Sequence, residues 1–182
     1  MHSGRASRGK ALDDIDGVYL SGYALLDFRS RDAVLAMIKK IKAAGKPIYF
    51  DPTTTGALKV VSLEEALTWV SMMDGILLNS EEALYLGNSK DLIEAEENLK
   101  KYTPLVVIKL GSKGAMAVNG KESAKVPAVT TNVVDTTGAG DSFAAGFIPK
   151  WLETNDLTQA LTAGASLAAK CVSSVGARPP LN

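Results

Sequence analysis

The chain has 182 residues, of which 46% are hydrophobic and 22% are charged, a composition typical of a globular domain that can bury a core. Basic and acidic residues number 20 each, which gives no sign of binding to nucleic acid or to an anionic membrane and favours a small-molecule partner. With one cysteine and one histidine, this chain alone cannot build a disulfide, a Cys/His zinc site or a catalytic triad that needs histidine.

Apolar runs alternate with segments of helical period along the chain, a pattern typical of a parallel sheet with crossover helices. The predicted strands span residues 18–23, 47–51, 75–79 and 105–110. The predicted helices among them span residues 32–44, 62–69, 81–86 and 92–102. Gly45 is placed to end the first of these helices, and Ser62 and Glu65 have the spacing of a capping box at the start of the second.

The second half of the chain predicts a hairpin and two long helices. Residues 115–118 and 122–126 form the hairpin, with a type I′ turn at Asn119-Gly120 and a sheet edge after it. The helices span residues 141–151 and 156–173, with Gly176 as a stop signal. We therefore predict that residues 1–182 form one three-layer, Rossmann-like α/β domain. Its mainly parallel sheet has helices on both faces and an active cleft at the carboxyl ends of the strands.

The string Asp135-Thr-Thr-Gly-Ala-Gly-Asp141 carries the clearest chemical signal. Gly138, Ala139 and Gly140 are small enough for backbone N–H groups to approach an anion, and they open a helix whose positive dipole end favours negative charge. Asp141 would then lie beside a bound phosphate, where a carboxylate can accept the proton of an attacking hydroxyl. The alternative is a tight glycine loop in which Asp141 only favours the helix N-terminus.

The longer string DTTGAGDSF at residues 135–143, followed by AAGF, closely resembles the C-terminal signature of the ribokinase-like, or phosphofructokinase-B type, carbohydrate kinases. The resemblance implies a ribokinase-like fold and transfer of the γ-phosphoryl group of ATP to a sugar hydroxyl, with Mg²⁺ as a cofactor. It also implies that Asp141 is the catalytic base and that the amides at Gly138, Ala139 and Gly140 form the anion hole.

Two further segments extend this resemblance to the nucleotide. Asn79-Ser-Glu-Glu82 matches an Asn-x-x-Glu motif of the family, which implies that Asn79 and Glu82 act on magnesium and the nucleotide phosphates. The same two residues have the spacing of a helix-capping box, and both roles can hold together. Lys109-Leu-Gly-Ser-Lys-Gly114 resembles the nucleotide-contacting turn, where Gly111 and Gly114 would let the backbone lie close to ATP.

Lys109 itself occupies a position where many members of the family have threonine. Lysine there resembles the ketodeoxygluconate-kinase branch, and the alternative is a solvated strand end. Asp51-Pro-Thr53 stands where the family often has Asp-x-Asn near the phosphate site, so Thr53 replaces an asparagine. The strand end at residues 21–23 resembles one near the family's substrate cleft, although an ordinary strand-exit turn explains it equally well.

The resemblance also concerns a monovalent cation, K⁺, that many members bind beside the anion hole. It implies that Asp135, Thr137 and main-chain groups in residues 171–176 would hold this ion, and it places Thr137 at the nucleotide site. Pro180 stands where the family often has a serine and offers no hydroxyl to the ion.

The resemblance covers residues 14–180 but only the C-terminal part of the family's architecture. The opening strands, the Gly-Gly-x-x-x-Asn sugar motif and the β lid have no counterpart here, so we expect either a missing N-terminal portion or a homo-oligomer. Three functions stay open: a kinase for a ketodeoxygluconate-, ribose- or fructose-type sugar, a catalytically silent nucleotide-binding or oligomerisation module, and a pyridoxal- or hydroxymethylpyrimidine-type kinase. A dinucleotide-binding domain fits less well, because its glycine string should follow the first strand.

The sequence predicts a cytoplasmic protein. No apolar run reaches the roughly 18 residues that a membrane span needs. The first residues carry positive charges with no hydrophobic stretch after them, which is not the pattern of a secretory signal.

Overall fold

The computed structural model describes residues 10–179, in which six strands form one sheet in chain order. The strands are β1 (Val18–Ser21), β2 (Ile48–Asp51), β3 (Gly75–Asn79), β4 (Leu105–Lys109), β5 (Ala115–Asn119) and β6 (Glu122–Val126). Strands β1 to β4 pair in parallel, and β5 and β6 continue the sheet antiparallel. The sheet is thus mixed: its parallel half comes from the crossover units and its antiparallel half from the hairpin.

Six of the helices in residues 10–179 lie where the apolar periodicity predicts them, and three helices of four residues each were not predicted. The helices are α1 (Lys10–Asp13), α2 (Tyr23–Leu26), α3 (Arg31–Ala43), α4 (Thr55–Leu58), α5 (Leu63–Val70), α6 (Ser80–Leu86), α7 (Leu92–Leu99), α8 (Ala139–Thr154) and α9 (Leu157–Val172). The Ser62 hydroxyl caps α5 by accepting the Glu65 amide, and Gly45 follows α3 with a φ of 71°, as the sequence predicts.

Two apolar cores lie on opposite faces of the sheet, because successive strand residues point to opposite sides. Phe50, Ile76 and Leu78 pack against the helices from α2 to α7. Leu77 and Val107 pack against α8 and α9. The prediction of helices on both faces of an α/β sheet is therefore confirmed.

Two local predictions are wrong. Strand β1 ends at Ser21, not at residue 23, because Gly22 leaves the sheet against the backbone of Pro52 and α2 begins at the next residue. In the hairpin, Asn119 pairs with Glu122, so the two turn residues are Gly120 and Lys121. A positive φ of 61° at Gly120 alone suits a type II′ turn, which needs glycine only at its first central position.

No helix in residues 10–179 is long and apolar enough to cross a membrane.

Candidate active site

A cleft of about 840 Å³ opens at the carboxyl ends of the parallel strands, beside the start of α8. This is the edge where an open α/β sheet brings together side chains from separate strands. Most of the predicted site residues line the cleft: Asn79, Glu82, Lys109, Gly111, Gly114, Thr137, Gly138, Ala139, Gly140 and Asp141. Asp135 lies outside this lining. The fold thus brings together segments that are far apart in the sequence.

The predicted anion cradle, Gly138 to Gly140, lies at the start of α8 and depends on the conformation of Gly138. This residue is the N-cap of the helix with a φ of 75°, and a Cβ atom on it would clash with the carbonyl oxygen of Ala177. Only glycine meets both conditions without strain. Helix geometry leaves the first-turn amides without an intrahelical acceptor, so this end of α8 can receive an anion. The Ala139 amide, which the sequence assigns to the anion hole, donates to the Thr136 carbonyl at 3.3 Å.

Asp141 is an exposed residue in the first turn of α8, and its carboxylate has one side-chain partner among the described residues. The Tyr19 hydroxyl, on β1, donates to the Asp141 Oδ1 atom at 2.8 Å. Burial, the charge of Asp51 and this hydrogen bond raise the pKa of Tyr19 far above its ordinary value. Tyr19 therefore stays a neutral hydrogen-bond donor across the physiological range.

Sequence reasoning missed Tyr19 because β1 and α8 are far apart in the sequence and come together only in the folded protein. Its position in the strand held a usable signal: Val18 and Leu20 pack into the core on one face, so Tyr19 must point to the other. That opposite face is the one that α8 covers.

Lys109 ends β4 and forms an ion pair inside the cleft. Its Nζ atom lies 2.7 Å from Asp51 Oδ2, and the two side chains are only 16% and 11% exposed. The Nζ atom also lies 3.3 Å from the position that a Cβ atom of Gly140 would occupy. The interpretation of Lys109 as a solvated strand end is therefore wrong, because its ammonium group is held beside the anion cradle.

Asn79 and Glu82 form a complete capping box at the start of α6. The Asn79 Oδ1 atom accepts the Glu82 amide at 2.9 Å, and the Glu82 carboxylate accepts the Asn79 amide at 2.8 Å. Glu82 is only 2% exposed, and burial raises its pKa to about 7 against the opposing effects of the Asn79 amide and Lys109. The capping role is confirmed, and both side chains line the cleft while they perform it.

The far wall of the cleft is mostly apolar. Four of its residues, Ala165, Ala168, Ala169 and Val172, share one face of α9, and others come from the segment between β6 and α8, such as Val129 and Val133. Small residues at positions 165, 168, 169 and 172 have the spacing of a single helix face. Sequence reasoning predicted this helix but did not place its small residues on the wall of the cleft.

The chemistry of the donor groups fits a magnesium ion held largely by a substrate. In residues 10–179, no three His, Cys, Asp or Glu side chains are clustered closely enough to hold a metal by themselves. Mg²⁺ in nucleotide sites typically takes one or two carboxylates and completes its shell with phosphates and water. Glu82 and Asp51 supply such carboxylates on the wall of the cleft.

The model of the pfkB family of carbohydrate kinases matches residues 5–182 of this sequence. The chain belongs to this pfkB family. The family that the sequence motifs suggest is therefore confirmed.

Individual members of the pfkB family and solved kinases agree with this assignment. A 5-dehydro-2-deoxygluconokinase of Shouchella clausii is 32% identical over 181 residues, which cover 88% of this chain and 54% of that protein. The adenosine kinase of Sinorhizobium meliloti superposes with a TM-score of 0.88 at 28% identity, covering 94% of this chain and 53% of that one.

The aminoimidazole riboside kinase of Salmonella enterica, complexed with its riboside and an ATP analog, gives a TM-score of 0.77 at 25% identity, covering 87% and 57% of the two chains. The chain spans about half the length of the curated relatives it matches.

Asp135, in the pfkB signature, acts as a clamp between two segments of backbone. One carboxylate oxygen accepts the Thr137 amide at 2.9 Å and the other accepts the Gly176 amide at 3.1 Å. These backbone hydrogen bonds lower the pKa of Asp135. Asp135, Thr137 and residues 171–176 do lie together, as a shared K⁺ site requires, while Pro180 lies outside the described residues.

Gly111 and Gly114 shape the turn that follows β4, with positive φ angles of 60° and 93°. A Cβ atom on Gly114 would clash with the carbonyl oxygen of Val126, whereas one on Gly111 would meet open space. Gly114 is thus required by the packing of the turn against the end of β6, in addition to any approach of a nucleotide.

Thr53 is the most strained residue of the cleft. Its φ of 85° is rare for a β-branched side chain, and its buried Oγ1 atom has no hydrogen-bond partner among residues 10–179. Asparagine tolerates positive φ far better, which accounts for the asparagine often found here in the pfkB family. Thr53 thus combines a positive φ with a side chain that does not suit it.

Proposed function

We propose that this chain is the nucleotide-binding and catalytic portion of an ATP-dependent sugar kinase in which Asp141 is the base. The observation that carries the proposal is the shared cleft, which joins a helix N-terminus made of small residues, a carboxylate in its first turn and an ammonium group beside it. Phosphoryl transfer depends mainly on positioning and on charge stabilisation, and these groups supply both.

The phosphate chain of ATP would lie between the cradle and Lys109. First-turn amides of α8 would donate to the γ-phosphoryl oxygens, where negative charge must be held during transfer. Lys109 would contribute its positive charge to the same oxygens, since its Nζ atom already lies next to Gly140. The Gly111–Gly114 turn and Thr137 would line the rest of the phosphate path.

When bound, Mg²⁺ neutralises the phosphate charge and aligns the γ-phosphoryl group. Glu82 and Asn79 would hold it, either directly or through water. The apolar wall around Ala168 and Val172 would receive the adenine base, because a flat heterocycle needs an apolar slot without strong polar competition.

Asp141 would accept the proton of the acceptor hydroxyl while the hydroxyl oxygen forms its bond to the γ-phosphorus. The bond between that phosphorus and the bridging oxygen breaks, and its electron pair stays on ADP. The products are a sugar phosphate, ADP and a proton on Asp141 that passes to solvent. The position of Asp141 in the first turn of α8, next to the cradle, supports this role.

The acceptor is proposed to be a sugar or sugar acid of the ketodeoxygluconate, ribose or fructose type. Lys109 favours the first of these classes by its resemblance to that branch of the family. K⁺ is proposed to bind between residues 135–137 and 171–176, and the remaining acceptor contacts to come from a further segment or from a second copy of the chain.

The test is formation of sugar phosphate and ADP by the purified chain, with Mg²⁺ and ATP, against a panel of sugars and ketodeoxy acids with and without K⁺. ADP formation that depends on one acceptor class supports the proposal and identifies the substrate. Tight ATP binding without turnover for any acceptor, both by the purified chain and by a longer protein that carries the further segment, would contradict it and favour the silent nucleotide-binding module.

A further inference from the structure

Among the described residues, Tyr19 is the one side chain that forms a hydrogen bond with Asp141, the proposed base, and the proposed reaction does not use it. Its hydroxyl is 2.8 Å from Asp141 Oδ1, and its side chain comes from β1, at the edge of the described sheet, whereas Asp141 lies on α8. In the described residues, Asp141 receives no other side-chain hydrogen bond, so its second oxygen remains open to a ligand.

Tyr19 and Asp141 also share a position between two cavities. The cleft lies on one side of the pair, and a second cavity of about 940 Å³ lies on the other, between the start of β1 and the outer face of α8. Of the described residues, only these two line both spaces. Rotation of the exposed Asp141 side chain would carry its carboxylate from the cleft toward the second cavity.

The hydrogen bond opposes that rotation. A phenol that donates to a carboxylate makes a charge-assisted bond, which is shorter and stronger than a neutral one. The raised pKa of Tyr19 keeps its phenol protonated, so the donor is present wherever Asp141 is ionised. With Oδ1 held by Tyr19, the other carboxylate oxygen is the one left to receive a proton.

We propose that Tyr19 is a positioning residue for Asp141: its hydroxyl fixes one carboxylate oxygen at the boundary of the two cavities and leaves the other for the acceptor hydroxyl. This inference rests on the proposed function, because it concerns the base of the same reaction. Small misplacements of a catalytic group can lower the rate by about 100-fold. The hydroxyl, rather than the aromatic ring, carries the role.

The first test compares Tyr19→Phe with Tyr102→Phe. The two tyrosines are 38% and 40% exposed, and Tyr102 lies far from the cleft, so it is a matched control. We expect Tyr19→Phe to lower kcat at least about tenfold while the Kd and KM for ATP change less than about twofold. Tyr102→Phe should match the unaltered chain. Equal kcat values for all three proteins, or a loss of ATP affinity in Tyr19→Phe, would overturn the inference.

A second test asks whether the hydroxyl acts through Asp141. In an Asp141→Asn background, Tyr19→Phe should change the residual turnover less than about twofold, because the group it positions is gone. If turnover in the double variant falls by the product of the two single losses, Tyr19 acts independently of Asp141.

Four of these proteins, the unaltered chain, Tyr19→Phe, Asp141→Asn and the double variant, separate this inference from the proposed function. If the chain phosphorylates no acceptor, either alone or within a longer protein that carries the further segment, the proposed function fails, and the pair is judged from urea denaturation midpoints. A shift in the double variant smaller than the sum of the single shifts supports the Tyr19–Asp141 contact. Additive shifts overturn it.

Discussion

Glu82 and Asp141 occupy the same place in two helices that open on one cleft, yet their carboxylates differ in almost every property. Each is the third residue of its helix. Glu82 is buried and turns back to cap α6 through Asn79, whereas Asp141 is exposed and reaches across to Tyr19. The difference begins at the N-cap: Asn79 donates to the Glu82 carboxylate and accepts the Glu82 backbone amide with its side chain, whereas Gly138 has no side chain to cap its helix.

The comparison shows how a local cap decides whether a first-turn carboxylate is held by its own helix or reaches other parts of the fold. A carboxylate that completes a capping box is fixed by its own helix. A glycine N-cap with positive φ leaves both the helix amides and the carboxylate open to a ligand. The N-terminus of α8 therefore lacks the stabilisation of a side-chain cap and is open to an anion.

The largest expected effect is on catalysis, from Asp141→Asn. Loss of the proton acceptor should lower sugar-dependent turnover at least about 100-fold, while the free energy of unfolding falls by only about 1–2 kcal/mol, since the helix-dipole interaction is lost and the hydrogen bond from Tyr19 is weakened to a neutral one. Steady-state kinetics and urea denaturation of the same protein check this. Unchanged turnover would remove Asp141 from the base role.

The next effect is on folding, from Gly138→Ala. The substitution places a side chain at a φ of 75° and against Ala177, and should lower the free energy of unfolding by roughly 2–4 kcal/mol and abolish ATP binding. Gly120→Ala is the matched control: its φ is 61°, but a Cβ atom there meets open space. It should cost only about 1–2 kcal/mol and leave ATP binding intact. Equal losses in the two variants would contradict a packing role for Gly138.

The smallest effect concerns the pH dependence of stability, which Glu82 should influence. Its pKa rises from 4.5 to about 7 on folding, so between these values the unfolded chain releases the proton that the folded chain retains. The contribution of Glu82 to stability is therefore fully present below pH 4.5 and is lost as the pH rises to about 7, by on the order of 3 kcal/mol.

Denaturation of the unaltered chain and of Glu82→Gln in Mg²⁺-free buffer measures this contribution. The stability of the unaltered chain relative to Glu82→Gln should fall between pH 5 and pH 8. A difference that stays constant with pH would mean that Glu82 is ionised throughout.

Sequence reasoning reached the parts of the site that are contiguous in the chain. The string from Asp135 to Asp141 and the Asn79–Glu82 pair are short segments whose spacing carries their local geometry, and the strand pattern placed them at one edge of the sheet. Tyr19 and the Asp51–Lys109 ion pair could not be reached in this way. They depend on which strands become neighbours and in which register, and that is fixed by packing over the whole sheet.

The hairpin turn illustrates the same limit at a smaller scale. Asn-Gly is a strong turn signal, but the ladder between β5 and β6 sets the register, and it moves the turn to Gly120-Lys121. A shift of one residue changes both the turn type and the positions that need positive φ. Local propensity names a turn, and the cross-strand pairing decides where it lies.

The Asp135 clamp has a consequence for exchange of backbone protons. The Asp135 carboxylate accepts the amide of Thr137, just before the cradle, and the amide of Gly176. The two segments therefore share one opening equilibrium. A ligand that binds only the closed cradle adds its binding free energy to that equilibrium by mass action. ATP should therefore slow hydrogen–deuterium exchange at Gly176, and Asp135→Asn should uncouple the protection of that amide from the occupancy of the cleft.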